Sequence, residues 1–104
     1  MANPRAGEVA LILDGRRHVM KLSLGALAEL EESLGADSIA ALVARLESGA
    51  VSARDVMVLI VAGLRGGGWP GRAADLVAAE IEGGPVEAAR LAALLVARAF
   101  GEIG

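Results

Sequence analysis

At 104 residues, with 55% hydrophobic side chains but one Trp, one Phe and no Tyr, the chain has the size of a single domain and the makings of an aliphatic core. A formal net charge of −3 argues against a nucleic-acid partner, which would call for clustered Lys and Arg. The absence of cysteine excludes a disulfide framework, a thiolate nucleophile and a Cys-type zinc site, and the longest apolar run, Val56 to Leu64, is too short for a membrane span, so a cytoplasmic protein is expected.

Residues 1–7, with Pro4 and Gly7, read as a flexible leader, and residues 8–101 as one domain. Val9, Leu11 and Leu13 alternate with Ala10 and Ile12, a turn signal follows at Asp14-Gly15, and Val19, Met20 and Leu22 continue beyond it, so residues 8–22 read as a β-hairpin. Cross-strand burial favours a type II′ turn centred on Gly15-Arg16, which sets Val9 against Leu22, Leu11 against Met20 and Ile12 against Val19. A turn centred on Asp14-Gly15 would instead put Leu11 opposite His18 and Ile12 opposite Arg17. The first strand is apolar on both faces, so one face is expected on the helices and the other face, or the strand edge, is open to a partner.

Residues 23–101 read as about five short helices, giving an α+β fold that is mostly α. Ser23 is the N-cap of a helix with Leu24, Leu27, Leu30 and Leu34 inward, closed by Gly35. Asp37 opens the next, with Ile39, Leu42, Val43 and Leu46 on one face and Gly49 at its end. Ser52 and Asp55 form a capping-box variant before a third helix to about Leu64. Val56, Met57, Val58, Leu59, Ile60 and Val61 leave that helix no polar face, which predicts a central or oligomer-seam helix, with a buried strand as the weaker alternative. Residues 65–71 form a Gly-rich joint. A fourth helix over residues 72–82, with Leu76, Val77 and Ile81 inward, stops at Gly83-Gly84, and Pro85 starts a fifth with Leu91, Leu94, Leu95 and Phe100 on its apolar side.

No catalytic, cofactor-binding or metal-binding residues emerge. His18 lacks an orienting partner and a nucleophile, and Glu31 lies well round the helix from Glu29 and Glu32, so the carboxylates do not converge on a metal. Gly66-Gly67-Gly68 lacks the Gly-Lys-Ser/Thr ending of a phosphate-binding loop. Trp69 either plugs the core or anchors a partner.

The segments Gly7 to Gly15, Lys21 to Glu31, Leu46 to Gly49, Ser52 to Val56 and Glu82 to Gly84 resemble the small protein of gene transfer agent and siphophage tail clusters. That family is grouped with phage tail assembly chaperones and also carries the label of a tail tube protein. The resemblance implies a non-enzymatic chaperone that binds the tape measure protein and keeps it soluble, with a structural tail component, tube or connector, as the alternative. It further implies the tail tube protein as a possible partner, and the small size, apolar third helix and over-apolar hairpin suit a homo-oligomer. The partner-contact candidates are Val9, Leu11, Leu13, Val19, Met20 and Trp69.

Overall fold

The computed structural model describes residues 7–34 and 39–100. In chain order it has β1 (Glu8–Leu13), β2 (Arg16–Lys21), α1 (Leu24–Leu34), α2 (Ile39–Ser48), α3 (Ala53–Gly66), α4 (Ala73–Ala78) and α5 (Gly84–Phe100). The expected hairpin followed by five helices is therefore present. The leader over residues 1–6, the Gly35 stop, the Asp37 start and Gly101 fall outside the described residues.

The hairpin register differs from the expected one. β1 and β2 pair as Val9 with Met20, Leu11 with His18, Ile12 with Arg17 and Leu13 with Arg16, about a turn centred on Asp14-Gly15. Asp14 and Gly15 have φ of 50° and 78°, the paired positive values of a type I′ turn, whose twist matches that of the strands. Cross-strand apolar pairing does not set this register. Leu11 and Leu13 are buried by helices packed on the inner face, so β2 need not supply their neighbours.

The sheet edges are engaged. On the β1 side the Asp14 amide donates to the Glu80 carbonyl at 2.8 Å, the Glu82 amide donates to the Ile12 carbonyl at 3.0 Å, and Leu13 and Ile81 form a bridge. Arg98 Nη1 donates to the Glu8 carbonyl at 2.6 Å. These contacts correct the fourth helix: it ends at Ala78, because the next residues run extended against β1. The Asp14 carboxylate secures that segment by accepting from the Glu80 amide at 2.9 Å.

α3 is the central helix, packing against β2, α1, α5 and α4. Leu59, Ile60, Ala62 and Leu64 are buried on it, whereas Val56, Met57, Val58 and Val61 are half-buried. Its capping box is complete: Asp55 N donates to Ser52 Oγ at 3.1 Å and Ser52 N donates to Asp55 Oδ2 at 3.0 Å. Ser23 likewise caps α1, accepting from the Ala26 amide at 3.1 Å.

The Gly-rich stretch is less of a joint than its composition implies. α3 continues through Gly66, and a side chain at Gly66 or Gly67 would collide with the carbonyl oxygens of Lys21 and Val19. Those two glycines let the end of α3 lie directly on the β2 edge. Some predicted inward residues face out: Leu24 at the α1 start, Val77 on α4 and Phe100 at the α5 end are exposed.

Candidate functional site

Four of the six contact candidates lie inside the protein. Val9, Leu11, Leu13 and Met20 are at most 4% exposed and belong to the core cluster. Val19 is half-buried on the outer sheet face, beside Ala10. Trp69 is half-buried against the core cluster, and its indole lies so close to Gly71 that no side chain fits there. The fold brings Val9, Leu11, Leu13 and Met20 together as core with Trp69 packed on it, and leaves Val19 apart on the outer sheet face.

The polar groups are accounted for mostly by structure. Arg65, beside the glycine run, donates to Glu29 Oε1 at 2.8 Å and to the Gly71 carbonyl at 2.9 Å, and its hydrogen bond holds the Glu29 carboxyl below its ordinary range. Arg45 grips Asp55 with Nε and Nη2, both at 2.9 Å, which lowers the Asp55 pKa to about 2. Glu87 and Arg90 pair on α5 at 2.7 Å. His18 lines an open cleft with Arg16, Trp69, Pro70 and Asp75. Among the described residues, no group of three or more acidic or His side chains is placed to hold a metal ion, and no helix is long and apolar enough to cross a membrane.

The surface with the chemistry of a partner site is elsewhere, in two apolar grooves along α3. One groove of about 260 Å³ has a floor of Ile60, Leu76 and Ala88 and walls of Val56, Met57, Val77, Ile81 and Pro85. A second, of about 200 Å³, lies between α1 and α3, lined by Leu30, Met57, Val58, Val61 and Ala73, with Arg54 and Glu29 at its rim. Met57 lines both, so the two apolar grooves adjoin at its side chain, and α4 contributes Leu76 and Val77 to the first and Ala73 to the second.

These grooves arise from sequence features that point in opposite directions. α4 is a six-residue helix, Ala73-Ala74-Asp75-Leu76-Val77-Ala78, with one side chain, Leu76, fully buried. Val77 is 67% exposed, and Val86 at the start of α5 is 83% exposed. Helical periodicity assigned Val77 inward because it assumed a helix running to residue 82. The early stop at Ala78 leaves α4 one buried side chain, Leu76, and no local sequence signal marks that stop. A flexible Met at the junction of two aliphatic grooves suits binding of irregular apolar side chains.

No curated protein and no solved structure matches the chain. A family model described as phage tail tube protein, GTA-gp10, does match it, over residues 6–102, and the chain belongs to that family.

Proposed function

We propose that this phage tail protein is a non-enzymatic assembly chaperone that holds apolar helical segments of the tape measure protein until the tail tube forms around them. The observation carrying this reading is the apolar surface along α3 and α4, where Val77 is exposed beside a groove formed by Val56, Met57, Ile60, Ile81 and Pro85. An aliphatic groove flanked by exposed valines fits the apolar stripe of an amphipathic helix, and burying such side chains supplies affinity at about 25 cal/mol per Å² before the cost of ordering.

The second reading, a structural tube or connector component that stays in the particle and meets the tube protein or further copies of itself, is favoured by the family's description. Against it, a ring wall made of strands calls for a larger sheet with edges free to pair. Among the described residues the sheet has two strands, with edges engaged by residues 80–82, Arg98 and the end of α3.

Co-expression with the neighbouring tape measure protein, followed by size-exclusion chromatography with light scattering, tests the first reading. A soluble co-eluting complex that weakens at least ten-fold in Val77→Glu, with the fold unchanged by circular dichroism, is the expected result. Precipitation of the client while this protein elutes alone would overturn it. Mass spectrometry of purified particles separates the two readings: stoichiometric retention supports the structural component, absence the chaperone.

A further inference from the structure

α2 is held differently from the other long helices. Leu42 is its one fully buried side chain, while Ile39, Val43 and Leu46 are half-buried. By contrast α3 sinks Leu59, Ile60, Ala62 and Leu64, and α5 sinks Leu91, Ala92, Leu95 and Val96. α2 packs chiefly on α1, and a bidentate ion pair joins it to α3, Arg45 Nε to Asp55 Oδ2 and Arg45 Nη2 to Asp55 Oδ1, each 2.9 Å. Asp55 is 7% exposed and also accepts from the Ser52 amide, so the carboxylate that closes the α3 N-terminus also fastens α2. The helix ends at Gly49, in the left-handed region at φ 78°, which turns the chain sharply back toward α3.

A helix that buries one side chain fully and three by half belongs to the part of a fold that opens before the rest. We infer that α2 is a lid latched by Arg45 and Asp55: it lifts as a unit while the hairpin, α1, α3 and α5 stay folded, and in lifting it bares the seat it covers along α1, with the Asp55 carboxylate at its α3 end. α2 itself defines what the seat accepts, an amphipathic helix with apolar residues at the spacing of Ile39, Leu42, Val43 and Leu46 and a cation placed as Arg45 is, to meet Asp55. A client helix of that pattern competes with α2 for the seat. The identity of this occupant rests on the proposed chaperone role; the lifting of α2 does not.

Native-state hydrogen exchange by mass spectrometry on the protein alone tests the lid. In the parent, residues 39–48 are expected to exchange at least about ten-fold faster than the buried segments of α3 and α5. Arg45→Met, which keeps the helix and removes the charge pair, destabilises the closed state against the lifted one and should accelerate α2 about ten-fold further, with α2 still exchanging at least about ten-fold faster than α3 and α5. Asp55→Asn, which retains an acceptor for the Ser52 amide, should do the same. Equal exchange of α2 and α3 in the parent would overturn the lid, because α2 would then open only with global unfolding, and unchanged exchange of α2 in both variants would overturn the latch. In the co-expressed complex with the tape measure protein, faster exchange of α2 than in the free protein supports displacement by the client, and stronger protection overturns it.

Discussion

Replacing Gly66 or Gly67 with alanine should unseat β2 from α3. In an exposed helix interior this change gains up to about 1 kcal/mol, because alanine has the higher helix propensity. Here the sign reverses. A Cβ at Gly66 would lie 3.1 Å from the Lys21 carbonyl carbon and 3.1 Å from Ala26 Cβ, with the Lys21 carbonyl oxygen nearer still. At Gly67 the Val19 carbonyl carbon would be 3.0 Å away, and its oxygen again nearer. The obstacles are backbone atoms, so no rotamer change relieves them, and β2 has to back away from α3. That loosens Met20 and Leu22, now 0% and 8% exposed. Overpacking costs about 1–3 kcal/mol and the loosened contacts add to it, so each variant should lose about 3 kcal/mol net. For a domain of this size that is a fall in Tm of about 10–20 °C. Thermal and urea unfolding followed by circular dichroism and by emission of the single Trp69 measures it. Gly25→Ala is the control: no atom lies within 4 Å of the Cβ it would add, so its stability should hold or rise by about 0.5 kcal/mol. Gly66→Ala and Gly67→Ala variants as stable as the parent would refute the close-approach argument.

Leu11→Ala, at a site 1% exposed, should cost about 2–5 kcal/mol in urea unfolding, and its effect on client binding should track the unfolded fraction alone. Asp55 has a folded-state pKa of about 2 against an ordinary 3.8, so its contribution is present above pH 3.8 and is lost as pH falls toward 2. That step is worth about 2 kcal/mol at most, and acid titrations of stability should show it in the parent and lack it in Asp55→Asn. Asp14→Ala removes the acceptor of the Glu80 amide and places a non-polar residue at φ 50°, so it should cost about 1–3 kcal/mol and raise hydrogen exchange over residues 79–82.

Local chemistry was legible wherever it acts over a few residues. Ser23 and the Ser52/Asp55 box mark helix starts because a side-chain oxygen must satisfy amides that the helix leaves open. The unbroken apolar run from Val56 to Val61 marked α3 as central, which its packing against β2, α1, α5 and α4 bears out, although Val56, Met57, Val58 and Val61 stay half-buried. Contacts between distant segments were not legible. The hairpin register turned on helices that bury Leu11 and Leu13 in place of β2, and α4 ended early because Asp14 captures Glu80, 66 residues away along the chain. Gly66 and Gly67 look in sequence like a flexible break, yet packing against the Val19 and Lys21 carbonyls makes them a fitted contact. The candidate surface follows the same division. Periodicity placed Val77 inward and the hairpin residues at a partner, whereas the tertiary structure spent the hairpin on the core and left Val77 and the groove beside it uncovered. Which apolar residues end up inside depends on how much surface each element can cover, and that is fixed by packing between elements rather than by the pattern within one.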